Sequence, residues 1–281
     1  MSRLLHVILA LVVAPLFASA SSAQDSDLFS QAASTELMRR FGGGNLSWLM
    51  LDRWGRVVAE NWPDADRTVA PGSLLKPFIA VAYGEQHGYV FPRVTCSGIS
   101  SRCWLPRGHG RIGLEAALAD SCNTYFLSLA GALNRRLAQT TFARFGLQAP
   151  RAPDADALIG LTDQWRETPI TLASAYLKLA SGPPEQASIL AGMHSAAESG
   201  TARDVDLALG PGAALAKTGT AACSHHPRAT ADGFTVVLFP AAQPRVVLLV
   251  RMHGATGAQT AAQAGAMLRA IGMGIGTGAH S

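Results

Sequence analysis

Two runs near the C-terminus constrain the fold more than anything else in the chain. Phe234–Phe239 and Val246–Met252 are dense in Val and Leu, and the turn-rich stretch Pro240–Pro244 joins them. That density with so short a connection points to an antiparallel hairpin. Ala214–Ala221 is a third strand-like run just upstream. The other end of the chain holds a second hairpin: Trp48-Leu49-Met50-Leu51 is an apolar run, Asp52 to Gly55 a turn, and Val57-Val58-Ala59 the return strand. Everything between reads as helical. The chain is therefore expected to be α/β (α+β), with a sheet built from 45–62 and 214–271 and a helical lobe over about 88–200 beside it.

Helical spacing of apolar residues places helices over Ser73 to about His87, Leu114–Leu137 with a break at Asp120–Asn123, Thr171–Ala180, Ser188–Ser199 and Thr260–Ile271. Pro77 falls in a first turn, where its missing N–H is not needed. With 281 residues, 48 % of them hydrophobic, there is enough apolar material for a full core. The formal charge of +4 is mild and has no basic run behind it, so nucleic acid is not an expected partner.

The N-terminus is a different kind of sequence. Arg3 precedes an apolar stretch, Leu4–Phe17, and small residues follow at Ala18-Ser19-Ala20 and Ser21-Ser22-Ala23. This is the pattern of a cleaved signal peptide over 1–23. It leaves an N-terminal segment 24–44, a domain 45–273 and a tail 274–281. The expected compartment is secreted or periplasmic, with no membrane span after cleavage. An uncleaved anchor is the rival, and the short run containing Pro15 weighs against it.

Export changes how the four cysteines read. Cys96 and Cys103 sit seven apart and could close a small disulfide, while Cys122 and Cys223 leave the connectivity open. The alternative is a metal site from Cys96, Cys103 and His87 or His109. No C-x-x-C or H-x-x-x-H spacing supports it, so no metal is expected. Cys122 reads as a buried, inert thiol.

Chemistry is concentrated in three short segments. In Ser73-Leu74-Leu75-Lys76, residues three apart share a helix face, so the hydroxyl and the amine can meet. A desolvated lysine with a lowered pKa can take the proton of a serine nucleophile. The chain has twenty Arg but only three Lys, at 76, 178 and 217. Where Arg serves for ordinary positive charge, Lys is retained where the amine must lose its proton. Lys178 reads as a surface residue.

Ser121-Cys122-Asn123 lies in the helical break and could present a hydroxyl and a carboxamide to one cleft. An N-cap pair is the bland alternative. Lys217-Thr218-Gly219-Thr220-Ala221 lies on the strand-like run. Lys217 and Thr218 could hold a substrate carboxylate, and Gly219 would let a substrate backbone approach the strand edge. The backbone N–H groups of Thr220 and Ser73 could form an oxyanion hole.

In this order the three segments form the serine, Ser-x-Asn and Lys-Thr-Gly set. The chain resembles the transpeptidase domain of penicillin-binding proteins. The likeness includes Pro71–Phe78, Cys103-Trp104, Gly108-His109-Gly110, Ala117–Phe126, Ile159-Gly160, Thr168–Ile170, Ala175-Tyr176, Gly192-Met193 and Gly200-Thr201-Ala202, and covers roughly Trp48–Ile271. The resemblance implies a five-stranded antiparallel sheet flanked by helices, an all-helical lobe, and a site between them. It implies a serine D,D-transpeptidase or carboxypeptidase acting on D-Ala-D-Ala peptidoglycan stem peptides through an acyl-enzyme on Ser73. Lys76, Ser121 and Lys217 would complete the catalytic set, and Asn123, Thr218, Gly219 and Thr220 would bind substrate. β-Lactams would be inhibitors, and no metal or organic cofactor is implied.

Two departures keep other readings open. The segment before the first strand is too short for the pedestal domain of large cell-wall synthases. The intervals of 48 and 96 residues between motifs are nearer to those of serine β-lactamases. A class D-like β-lactamase and a non-catalytic penicillin-binding sensor or scaffold are the alternatives. Glu167, beside Trp165, is the nearest candidate for a water-activating carboxylate, with a surface position as its plainer reading. His109 reads as loop-shaping, His225-His226-Pro227-Arg228 as a polar surface loop, and Trp104 and Trp165 as core or rim.

Overall fold

The computed structural model describes residues 16–223 and 230–273, with side chains from residue 28 onward. His225 to Arg228, the tail 274–281 and most of the expected leader lie outside the described residues.

The chain opens with α1 (Leu16–Phe41), β1 (Leu46–Asp52) and β2 (Val57–Glu60), followed by a 3₁₀ turn, Gly72–Leu75, and α2 (Lys76–Gln86). The middle holds a short hairpin, β3 (Val94–Cys96) and β4 (Gly110–Ile112), then α3 (Leu114–Ala119), α4 (Asn123–Ala132), α5 (Arg135–Phe145), α6 (Ala155–Leu158), α7 (Pro169–Ala180), α8 (Ala187–Glu198) and α9 (Asp204–Leu209). It ends with β5 (Leu215–Ala221), β6 (Asp232–Phe239), β7 (Val246–His253) and α10 (Gly257–Ala270). The large sheet has the order β2-β1-β7-β6-β5, with every pair antiparallel. The strands at the two ends of the chain therefore meet, β1 pairing with β7 along its full length.

Alternation along the strands divides the interior in two. Leu49, Leu51, Phe234, Val236, Leu238, Val247 and Leu249 face the helical middle, packing with Phe78 and Tyr176. Trp48, Met50, Val237, Leu248 and Val250 face the other way, against Ala33 and Leu37 of α1 and Ala261, Ala264 and Leu268 of α10. A period of two is what a sheet buried on both faces requires. Each fully buried side chain of this size contributes about 1.5–3 kcal/mol relative to exposure.

The segment 24–44 is more than a connection. It is most of a helix, and Trp48 Nε1 donates to Phe41 O at 3.1 Å, which fixes the end of α1 on the sheet. The expected single helix to Leu137 is also corrected. The chain breaks at Leu133, and Asn134 starts α5 by accepting from the N–H groups of Arg136 and Leu137. Leu133 and Leu137 hide this break by keeping the apolar spacing. The small hairpin β3–β4 lies within the stretch read as purely helical. Among the described residues, no helix is long and apolar enough to cross a membrane.

Candidate active site

Ser73 sits in the 3₁₀ turn before α2, partly exposed, between buried Gly72 and Leu74. Two features hold this turn. Tyr176, fully buried, donates from its hydroxyl to Leu74 O at 2.7 Å. Gly72, at φ +58°, lies against the backbone of β5, and a Cβ there would stand 2.5 Å from Thr220 O. Gly219 is the reciprocal contact, its missing Cβ leaving room for Pro71 O at 2.6 Å. Two glycines thus let the main chain of the turn and of the edge strand β5 touch directly. The position of a Gly219 Cβ is thus taken up by the protein's own turn.

Lys76 is fully buried at the start of α2. Its amine donates to Ser121 O at 2.7 Å, to Asn123 Oδ1 at 2.6 Å and to Ser121 Oγ at 3.2 Å. The expected pairing with Ser73 is not among its hydrogen bonds; the amine is turned across the site to the second motif. Asn123 opens α4, yet neither Ser121 nor Asn123 caps that helix, since Cys122 is the N-cap residue and makes no side-chain cap bond. Ser121 is buried at φ +52°, a left-handed conformation that only Gly, Asn and Asp visit readily. That conformation turns its carbonyl and its hydroxyl toward one amine.

Lys217 comes from β5, also fully buried, and donates to Ser121 Oγ at 2.9 Å and to Thr218 O at 2.8 Å. One hydroxyl therefore bridges the two motif lysines. Burial pushes both amines down from the ordinary lysine range, Lys76 to about 7, and proximity to Lys76 lowers Lys217 further. Thr218 does not share a partner with Lys217. Its hydroxyl pairs with that of Thr201 at 2.7 Å, and Thr201 is anchored to Ala119 O at 3.1 Å. Neighbours on a strand leave it on opposite faces, and in this structure the two side chains have different hydrogen-bond partners. Thr220 is exposed, its hydroxyl accepting from Gly257 N–H at 3.0 Å.

A cleft of about 380 Å³ is lined by Trp104, His109, Asp120, Gly200, Thr201 and Arg203, among others, and meets the third motif through the Thr201–Thr218 hydroxyl pair. Trp104 is a rim residue, half exposed, its Nε1 donating to Asp120 O at 3.0 Å. Trp165 is core, fully buried against Phe142. Lys178 is a peripheral residue on α7 whose amine reaches Arg144 O. Thr201 and Arg203 carry no catalytic signature of their own in sequence; the only hint of Thr201 was its place in the Gly200-Thr201-Ala202 block.

Glu167 is not a surface residue. It is buried, bridges by its backbone to Val69, and its Oε1 accepts from Trp165 Nε1 and Gln148 N–H. Burial raises its pKa, but both donors tie it to the structure of the lobe. The cysteines also depart from expectation. None is in a disulfide, and Cys96, Cys103, His109 and Cys122 converge. His87 is elsewhere, stacked on Tyr83.

The model of the penicillin-binding protein transpeptidase domain matches residues 61–272. The chain belongs to this family. Its fold is similar to that of Pseudomonas aeruginosa PBP2, solved in complex with WCK 5153, at 20 % identity and a TM-score of 0.68, covering 86 % of this chain and 75 % of that one. It is also similar to the transpeptidase domain of the FtsI4 D,D-transpeptidase from Legionella pneumophila, at 19 % identity and a TM-score of 0.64, covering 88 % and 95 %. PBPA from Mycobacterium tuberculosis is similar at 18 % identity and a TM-score of 0.68, covering 86 % and 78 %. No curated protein sequence matches the chain. At these identities the likeness establishes the antiparallel sheet with its helices, as the sequence led one to expect.

Proposed function

We propose that this penicillin-binding transpeptidase domain acylates Ser73 with D-Ala-D-Ala stem peptides of peptidoglycan, outside the cytoplasm, and that β-lactams acylate the same hydroxyl. The observation that carries the reading is the bridging of Lys76 and Lys217 by Ser121 Oγ, beside a partly exposed serine.

A neutral amine has two N–H groups and one lone pair. Ser121 O and Asn123 Oδ1 accept the two N–H groups of Lys76, which leaves the lone pair for the proton of Ser73. Ser73 Oγ then attacks the penultimate D-Ala carbonyl. The backbone N–H groups of Ser73 and Thr220 would receive the oxyanion, because the Gly72 contact brings this turn onto the Thr220 backbone. The proton returns from Lys76 to the leaving D-Ala nitrogen, with Ser121 Oγ and Lys217 as the relay. The terminal carboxylate would meet the Thr201–Thr218 hydroxyl pair, with Arg203 on the same cleft adding positive charge. Asn123, Gly219 and Thr220 would line the peptide's path.

A labelled penicillin and mass spectrometry test the reading. A long-lived adduct of one penicillin, lost in Ser73→Ala, is expected. Rapid turnover without an adduct would favour a β-lactamase, a reading weakened by the commitment of Glu167 to Trp165 and Gln148. Absence of reaction would favour a sensor or scaffold. A stem pentapeptide with and without an acceptor amine separates transpeptidation from carboxypeptidation, since D-Ala release indifferent to the amine would eliminate the former.

A further inference from the structure

We propose that Cys96, Cys103, His109 and Cys122 bind one zinc-class divalent ion, and that the bound ion clamps the Ser121–Asn123 turn against Lys76.

The four side chains come from separate pieces of the lobe. Cys96 ends β3, Cys103 follows the Gly98–Ser101 turn, His109 precedes β4, and Cys122 is the N-cap residue of α4. Their ligand atoms all lie within 4.8 Å of one another. His109 Nδ1 is 3.4 Å from Cys96 Sγ and 3.5 Å from Cys103 Sγ, and Cys103 Sγ is 3.8 Å from Cys122 Sγ. A tetrahedral ion with bonds of about 2.3 Å to sulfur and about 2.0–2.1 Å to nitrogen needs edges of about 3.8 Å between sulfurs and about 3.5 Å from sulfur to nitrogen. The three separations just given match those edges, and the remaining pairs lie within 4.8 Å, so closing the set around one ion takes shifts of about 1 Å or less. A disulfide needs about 2.0 Å, and none of the three cysteines in this cluster is in one.

The surroundings suit thiolates. Thr124 Oγ1 donates to Cys96 Sγ at 3.3 Å, with the backbone N–H groups of Gly98 and His109 directed at the same sulfur and that of Tyr125 at Cys122. Trp104 packs edge-on against the His109 ring, helping to orient it. Three thiolates and a neutral imidazole are a soft donor set that selects zinc over magnesium or calcium. Binding expels the thiol protons to solvent: Zn²⁺ plus three thiols and one imidazole gives a zinc tris-thiolate imidazole centre of net charge −1 and three protons.

The position of Cys122 gives the site its consequence, which rests on the acylation reading above. Its two neighbours in sequence supply the acceptors of Lys76, and the residue before it is held at a strained φ of +52°. β3 and β4 have three residues each and are too short to fix a turn alone. An ion joining Cys122 to Cys96, Cys103 and His109 would supply the rigidity.

The test uses the full chain and Zn²⁺ alone as the probe. Elemental analysis should find one zinc per chain. Co²⁺ in its place should give tetrahedral d–d bands and thiolate charge transfer, and Cys223→Ser should leave both unchanged. Cys103→Ser and His109→Ala should lose the ion; should they misfold, the Co²⁺ spectrum of the parent still decides. Chelation should slow penicillin acylation at least about tenfold with the fold retained by circular dichroism, and Zn²⁺ should restore it. Metal-free protein with four titratable thiols, or with a disulfide within this cluster, overturns the site. Stoichiometric zinc whose removal leaves acylation unchanged overturns the clamp. Stoichiometric zinc in a chain that takes no penicillin supports the site and counts against the acylation reading instead.

Discussion

Replacing Ser121 by alanine isolates the chemical core of the proposed mechanism. The hydroxyl accepts from Lys217 at 2.9 Å and from Lys76 at 3.2 Å, so the change removes two hydrogen bonds and leaves Lys217, among the described residues, with the acceptor Thr218 O. A buried hydrogen bond to a charged group is worth about 1.5–3 kcal/mol. If the stronger of the two is lost only in the transition state, acylation slows by about 10- to 150-fold, at 1.36 kcal/mol per decade. A relay role adds to this, since positioned proton transfer contributes about 10²–10⁴. The assay is stopped-flow or quenched mass measurement of penicillin acylation at saturating ligand. The backbone must be controlled for, because Ser121 stands at φ +52°. Ser121→Gly relieves that conformation while also lacking the hydroxyl. The relief of about 1–2 kcal/mol is partly offset by about 0.4–1 kcal/mol of added freedom in the unfolded chain. The glycine variant should therefore be about as stable as the parent or slightly more so, yet lose acylation as the alanine variant does. Acylation in either variant within about threefold of the parent would refute the relay.

Three further outcomes are expected. With Lys76 lowered to about 7 and neutral when it acts, the acylation rate should rise with pH through that value and level off above it; a rate that falls over the same range would refute Lys76 as base. Gly72→Ala forces a Cβ to 2.5 Å from Thr220 O at a positive φ, so urea denaturation should show a loss of at least about 2 kcal/mol, together with slower acylation of Ser73; near-parental stability would contradict the direct backbone contact. Glu167→Gln keeps an acceptor for Trp165 Nε1 and Gln148 N–H, so deacylation should not change; a fall of about tenfold or more would revive Glu167 as a water-activating base.

The parts of this molecule that were legible in sequence are those written in local patterns. Phe234–Phe239 and Val246–Met252 announced β6 and β7 because a strand buried on both faces needs little besides Val, Leu and Phe. The three motifs could be read because each is a short run. What joins them was not readable. Lys76 reaches Ser121 and Asn123 across 45 and 47 residues, and no local spacing encodes that contact. The cysteine cluster was legible only in part: Cys96, Cys103 and His109 could be grouped, but no paired C-x-x-C spacing brought Cys122 to them. The division of Lys217 and Thr218 between two partners is a different case. It follows from the period of two on a strand, given that β5 is a strand, and so was available from the sequence once the strand was assigned.

The contact between Gly72 and the Thr220 backbone has a consequence for how far such a chain can drift. The nucleophile's turn is registered on β5 through main-chain atoms, and those are the same in every sequence. Side chains elsewhere in the lobe and sheet can be exchanged in volume-conserving groups without moving that contact. Positions 72 and 219 are exempt from this freedom, because any larger residue would part the turn from the strand. Divergence in such a protein is therefore uneven by construction: wide over most of its length, and closed at positions that carry no side chain at all, Gly72 and Gly219 among them.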